Sequence, residues 1–224
     1  MLATATDTRA ARASRLRGLY AVTPDTDDTA ALRECVDAAI TGGAQAVQYR
    51  NKRAPREQRV AQARVLAELC RSRDVLYIVN DDVELAAEVG ADGVHLGRDD
   101  GDPGVARLIL GPGPLIGVSC YADMARARAM ADAGADYVAF GSLYPSSIKP
   151  DAVHAPLELL GRARSLGVRI VGIGGIDAEN AAEVIEAGAD AVAVINAVFG
   201  ADDVESAARD IALACERTER EDRY

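Results

Sequence analysis

Short apolar runs alternate with amphipathic stretches along the whole chain. The runs predict strands over Gly18–Thr23, Ala44–Arg50, Val75–Asp81, Gly93–Gly97, Leu115–Ser119, Tyr137–Gly141, Arg169–Gly174 and Ala191–Ile195. Each is rich in Val, Ile or Tyr and bounded by Gly, Asp or Pro, as buried strands are. The segments between them place apolar residues at i, i+3 and i+4 among Ala, Glu and Arg. In Arg56–Cys70, for example, Val60, Ala63, Ala67 and Cys70 fall on one helical face. Eight strands with eight following helices fill the chain without a linker, so one folded domain is expected.

An internal repeat supports this reading. The strings TGGAQAV (41–47), VGADGV (89–94), AGADYV (133–138) and AGADAV (187–192) each end a helix and open a strand. Gly supplies the left-handed residue that stops the helix. Ala then turns the chain, and Asp or Gln precedes the strand. A βα unit repeated with right-handed crossovers closes into a single (β/α)8 TIM barrel; a doubly wound open sheet is the alternative topology. The expected organisation is a flexible N-terminal tail at 1–17 and a barrel domain at 18–224. The tail lacks the apolar segment of a secretory signal. It is Arg-rich with one acid, Asp7, which leaves a transit peptide as the alternative.

Composition narrows the chemistry. Aromatics are 4% of the chain and Trp is absent, so the core is built from Ala, Val, Leu and Ile. The net charge of -10 repels nucleic acid and anionic membrane, and neither is an expected partner. No apolar run approaches the roughly 20 residues of a membrane span. An anionic substrate therefore needs a local cluster of cations. Cys35, Cys70, Cys120 and Cys215 are scattered, as reduced thiols of a cytoplasmic protein are. A homo-oligomer is compatible with this composition.

In a barrel, chemistry gathers at the C-terminal ends of the strands. The second strand ends in Gln48-Tyr49-Arg50-Asn51-Lys52, and alternation sends Gln48, Arg50 and Lys52 to one side. A solvated loop explains these residues too, but a fork and a point charge together suit a polyanion. The third strand ends in Asn80-Asp81-Asp82 and the fourth in His95-Leu96-Gly97-Arg98-Asp99-Asp100. The acids have ordinary roles available, as helix caps or turn residues. Two carboxylates at adjacent strand ends also suit Mg²⁺, which takes one or two of them and completes its shell with water and phosphate oxygens. His95 reads as a packed or supporting residue.

Ser119, ending the fifth strand, is either a ligand donor or the cap of the helix beginning near Asp123. The sixth strand leads into a loop with Ser146, Ile148 and Lys149, long enough to be a binding loop. The seventh ends in Gly174-Gly175, an anion-binding turn where a helix follows, and the eighth in Ile195-Asn196.

These strand ends resemble one family. The strings QYRNK, ND at 80–81, HLGRDD, GVSC, the Pro-Ser-Ser-Ile-Lys loop, GIGGI and VIN occur in order between Gly18 and Gly200, as in the thiamine phosphate synthase family. The resemblance implies that Gln48, Arg50 and Lys52 bind a pyrimidine pyrophosphate, with Asn80 touching the pyrimidine. It implies Asp81 and Asp100 as Mg²⁺ ligands. Ser119 and Lys149 contact the pyrophosphate side, with Arg50, Lys52, Ser119 and Lys149 as the catalytic set. Ser146, Gly175, Ile195 and Asn196 complete the substrate contacts. Three departures touch the thiazole phosphate and its surroundings. Ser146 and Ile148 stand where the family's loop carries Thr, Asn196 replaces a Ser, and Arg98 replaces a Gln.

The implied reaction is a dissociative displacement, in which hydroxymethylpyrimidine pyrophosphate loses pyrophosphate and a thiazole phosphate nitrogen captures the pyrimidine methyl cation. Small molecules are then the partners and Mg²⁺ the cofactor. A thiazole tautomerase of the same superfamily, a sugar-phosphate isomerase or epimerase, and a non-catalytic ligand-binding barrel are the alternatives. Arg50, Lys52 and Lys149 weigh against the isomerase, because neighbouring cations depress the pKa that a carboxylic general acid needs.

Overall fold

The computed structural model describes residues 5–145 and 154–221. Helix α1 (Ala5–Ser14) precedes β1 (Gly18–Val22), α2 (Thr29–Thr41), β2 (Ala46–Tyr49), α3 (Arg56–Ser72), β3 (Leu76–Asn80), α4 (Val83–Val89) and β4 (Gly93–Leu96). Then come α5 (Pro103–Leu110), β5 (Leu115–Tyr121), α6 (Met124–Asp132), β6 (Tyr137–Phe140), α7 (Glu158–Ala163) and β7 (Arg169–Ile173). The chain ends with α8 (Ala181–Glu186), β8 (Ala191–Val194), α9 (Asn196–Phe199) and α10 (Val204–Glu221). The eight strands are parallel and run in chain order around a closed barrel, β8 pairing with β1. Each predicted strand is present, and the observed ends differ by at most two residues from the expected ones.

Strand alternation divides the apolar residues into two sets. Leu19, Ala21, Val47 and Val79 point outward to a shell packed under the helices. Tyr20, Val22, Ala46, Ile78, Tyr137, Val171 and Ala193 point inward and fill the barrel. Gly117 of β5 makes room for the largest of these. A Cβ there would lie 1.8 Å from Cζ of Tyr137.

The repeated Gly-Ala-Asp strings have a common physical basis. Gly43, Gly90, Gly134 and Gly188 all adopt positive φ, from +64° to +115°. In three copies the Asp then turns its carboxylate onto the start of the preceding strand. Asp92 accepts from the Tyr77 N–H at 3.0 Å, Asp136 from Ile116 at 2.8 Å and Asp190 from Ile170 at 2.8 Å. Strand starts that would leave a donor unpaired are thereby closed.

The expected tail departs from the sequence reading. Residues 5–14 form α1, and Ala13 and Leu16 insert into the lower end of the barrel core, Leu16 being fully buried. Arg9 pairs with Asp136 at 3.3 Å and Arg12 with Asp92 at 2.9 Å, while Arg12 also donates to the Gly113 carbonyl. The repeat's acids thus anchor the helix as well as the strands. None of α1–α10 is long and apolar enough to cross a membrane among the described residues.

Candidate active site

The end of β2 projects its polar residues as alternation requires. Gln48 lies inside the barrel, whereas Tyr49 and Asn51 turn outward to Gln62 of α3, at 2.9 and 3.0 Å. Arg50 and Lys52 stand on the rim. The Arg50 guanidinium donates from Nη1 to Asp25 Oδ1 at 3.0 Å, and the Lys52 N–H donates to the same oxygen at 2.9 Å. Buried Thr23 exchanges hydrogen bonds with the Arg50 backbone in both directions. Thr23 and Asp25, from the loop after β1, therefore fix the direction of the cationic segment.

Lys52 reaches across to β3, its Nζ 3.0 Å from Asp81 Oδ2. Asp81 takes φ +63°, a left-handed conformation uncommon for any residue but Gly, Asn or Asp, and its N–H donates to the His95 carbonyl at 2.8 Å. Asp100, after β4, curls back to accept the Gly97 N–H at Oδ2, 2.9 Å away. The two carboxylates converge above Gly97. An ideal Cβ there would lie 2.4 Å from Asp100 Oδ2 and 3.9 Å from Asp81 Oδ1.

The Asp100 carboxyl is held above the usual carboxylate range. Lost hydration is the largest cause, followed by the hydrogen bond and negative charge of Asp81, against the Gly97 N–H and Lys52. The expected depression by neighbouring cations is thus overturned at Asp100, because lost hydration and then the second carboxylate outweigh the Gly97 N–H and Lys52. Two carboxylates crowded in this way suit a hard divalent cation lying between them. No group of three or more His, Cys, Asp or Glu able to hold a metal occurs among the described residues. A pair of carboxylates fits Mg²⁺ that keeps water and phosphate oxygens as its other ligands.

The capping roles open to several acids fall to their neighbours. Asp82 caps α4 through the Leu85 N–H, Asp102 caps α5, and Asp123 caps α6 through Arg126. Asp81, Asp100 and Ser119 cap none of these three helices. Asn80 ends β3, half-buried and in register with His95 of β4.

Below the rim, five side chains join across the barrel interior. Gln48 Nε2 donates to Tyr20 Oη at 2.7 Å, and Tyr20 Oη lies 3.0 Å from Tyr137 Oη. Tyr137 Oη is 3.0 Å from His95 Nδ1, and His95 Nε2 is 2.9 Å from Ser119 Oγ. The imidazole stacks on the Tyr137 ring, centroids 5.5 Å apart. Burial lowers the His95 pKa to about 4 despite Asp100, so the ring is neutral at pH 7. Burial also raises both tyrosine hydroxyls far above their ordinary value.

The ends of β7 and β8 are neighbours, with Ile173 in register with Ala193, so Gly174, Gly175, Ile195 and Asn196 share one side of the mouth. Gly174 and Gly175 have φ +103° and +68°, and a Cβ on Gly175 would lie 2.5 Å from the Pro145 carbonyl. The helix expected directly after this pair starts later, at Ala181, because Asp177 and Asn180 build a turn first. Ser146, Ile148 and Lys149 lie outside the described residues.

Asp25, Thr23, Tyr20 and Tyr137 were not singled out from sequence. The Thr23-Pro24-Asp25 end of the first strand was the available signal for two of them. A cleft of about 630 Å³ also opens at the opposite end of the barrel, beside α1. Its Arg9 and Arg169 pair with Asp136 and Asp190, and its Arg164 donates to the Gly188 carbonyl.

Residues 19–198 match the family model described as thiamine monophosphate synthase. The chain belongs to the thiamine monophosphate synthase family. The thiamine-phosphate synthase of Methylobacillus flagellatus is 55% identical over 194 residues, covering 87% of this chain and 93% of that one. That of Chromobacterium violaceum is 55% identical over 198 residues, 88% and 96% of the two chains. Among solved structures, the thiamine phosphate pyrophosphorylase from Pyrococcus furiosus superposes with a TM-score of 0.82 at 36% identity, over 93% of this chain and 98% of that one. The 3-keto-L-gulonate-6-phosphate decarboxylase from Vibrio cholerae, at 12% identity and a TM-score of 0.69, shares the barrel alone. Membership of the thiamine monophosphate synthase family and the closed parallel barrel both agree with the reading from strand ends.

Proposed function

We propose that this enzyme joins hydroxymethylpyrimidine pyrophosphate to hydroxyethylthiazole phosphate, giving thiamine phosphate and pyrophosphate. The observation that carries the reading is the convergence of Asp81 and Asp100 beside Lys52, next to Arg50, on one rim of a barrel of this family. Asp81 and Asp100 would hold Mg²⁺, and the bound ion would supply positive charge to the leaving pyrophosphate.

Arg50 is aimed by Asp25 and Thr23, so its guanidinium can fork onto phosphate oxygens without first being ordered. Lys52 is a point charge on a flexible stem that exchanges Asp81 for a phosphate oxygen. Lys149 would bring a further cation from the loop after β6. Gln48 and Asn80 orient the pyrimidine, and Ser119 donates toward the pyrophosphate. Gly175, Ile195, Asn196 and Ser146 take the thiazole phosphate.

In the reaction, the pyrimidine CH₂–O bond breaks and its electron pair leaves on pyrophosphate. The thiazole nitrogen lone pair then forms the new C–N bond to the methylene carbon. No residue has to remove a proton from carbon, and the task of the side chains is to stabilise charge on the departing group. Lys149→Ala is expected to lower kcat far more than it raises KM.

Mixing both substrates with the enzyme tests the reading. One pyrophosphate is expected per thiamine phosphate formed, in the presence of Mg²⁺ and not after chelation. Binding of both substrates without pyrophosphate release would favour a non-catalytic barrel instead.

A further inference from the structure

The buried row of side chains beneath the mouth can be accounted for proton by proton. Gln48 Nε2 donates to Tyr20 Oη, so the Tyr20 proton has to find its own acceptor. Among the described residues its other partner is Tyr137 Oη, at 3.0 Å. The Tyr137 oxygen then receives a proton and gives its own to the remaining partner, His95 Nδ1, at 3.0 Å. A neutral imidazole that accepts at Nδ1 carries its hydrogen on Nε2. That nitrogen faces Ser119 Oγ at 2.9 Å. Ser119 thus receives a hydrogen bond from below, and its own proton has no second partner among the described residues.

With the Gln48 amide nitrogen turned to Tyr20, the reverse direction fails on the same accounting. If Tyr137 donated to Tyr20, the Tyr20 oxygen would receive two protons and its own would be stranded in a fully closed interior, where Tyr20 is 1% and Tyr137 0% exposed. An unpaired hydroxyl proton buried in this way costs about 1–3 kcal/mol.

We propose that Tyr20, Tyr137 and His95 form a one-way donor chain whose end effect is to make Ser119 a hydrogen-bond donor to the substrate at the mouth. His95 is therefore a positioning residue for the reaction, acting through Ser119. The chain runs from β2 through β1, β6 and β4 to β5, so it also ties the orientation of the Gln48 amide to that of the Ser119 hydroxyl across the barrel. A donor fixed before substrate arrives needs no reorganisation as charge develops on the leaving group. An acceptor in its place would repel the same charge. The inference rests on the proposed contact of Ser119 with the pyrophosphate side.

Two measurements separate the chain from that contact. ¹⁵N spectroscopy of the imidazole in the unliganded protein reads the tautomer directly and does not depend on turnover. A hydrogen on Nε2 is expected, and a hydrogen on Nδ1 would overturn the chain. Steady-state kinetics then test the role. His95→Phe keeps a flat ring but no donor, and is expected to lose about 10- to 100-fold in kcat with little change in KM. Ser119→Ala should lose a similar factor, and the double variant no more than either single one. His95→Gln restores an N–H near the Nε2 position and should recover most of kcat. A folded His95→Gln as impaired as His95→Phe, or losses that multiply in the double variant, would overturn the positioning role. Full activity of Ser119→Ala would overturn the Ser119 contact, while the tautomer result would still stand or fall on its own spectrum.

Discussion

Lys52 Nζ lies 3.0 Å from Asp81 Oδ2, joining a cation from the end of β2 to an acid at the end of β3. The lysine side chain is 55% exposed, so the pair contributes little to folding, in the range of about 0–1 kcal/mol. Its value lies in what it presents to a ligand. Lys52→Ala is therefore expected to move the urea midpoint hardly at all. The same substitution should lower kcat/KM by about 10²-fold or more, as loss of one charge-stabilising contact does. Denaturation curves and steady-state rates on the same preparation check both halves.

Asp81 and Asp100 repel each other until a cation lies between them. Asp100→Asn removes that repulsion, and without Mg²⁺ the variant should melt at or above the temperature of the native protein. Saturating Mg²⁺ with pyrophosphate should reverse the order. Ligand at one hundred times its Kd adds about 2.7 kcal/mol to the protein that binds it. Thermal melts with and without Mg²⁺ would show the crossing, and an equal upshift of both proteins would exclude Asp100 as a ligand.

Gly117 is required by the ring of Tyr137. With a Cβ placed 1.8 Å from Cζ, Gly117→Ala forces Tyr137 out of its position. Overpacking of this kind costs about 1–3 kcal/mol, and displacement of Tyr137 from His95 and Tyr20 should add to it. A lowered melting temperature with a loss of kcat is expected. Unchanged stability would mean that the ring has room it does not show.

Two buried thiols set an alkaline limit on the fold. Burial, with a smaller effect of Asp92, raises Cys70 from an ordinary 9.0 to about 12, and burial raises Cys120 to about 12 as well. The unfolded chain loses these protons near pH 9 while the native protein keeps them. The stability present below pH 9 should then fall as the pH rises toward 12. Urea midpoints at pH 8, 9 and 10 measure this slope. At pH 8 a thiol reagent should label Cys35, which is half-buried, well before Cys70 or Cys120.

The barrel was legible because two periodicities coincide. Alternation put Tyr20, Val22 and Ile78 on one strand face and Leu19, Ala21 and Val79 on the other. The Gly-Ala-Asp repeat then marked where each helix stops and a strand starts. The same alternation placed Gln48, Arg50 and Lys52 together at the rim. The interior chain was not legible, since alternation says that Tyr20, His95 and Tyr137 point inward but not that they meet across the barrel. Nor was α1, whose docking depends on Arg9 and Arg12 finding acids of the repeat eighty residues away in sequence for Arg12 and farther for Arg9. Asp25 escaped for a different reason. Its three contacts to Arg50, Lys52 and Arg53 exist only once the first two strand ends are side by side.

Soaking crystals of the protein with Mg²⁺ and pyrophosphate examines the mouth most directly. The metal should lie between the Asp81 and Asp100 carboxylates, bound also to a pyrophosphate oxygen, with Arg50 and Lys52 on the remaining phosphate oxygens. Pyrophosphate seated on the far side of the barrel opening, or a metal that ignores either aspartate, would contradict the account.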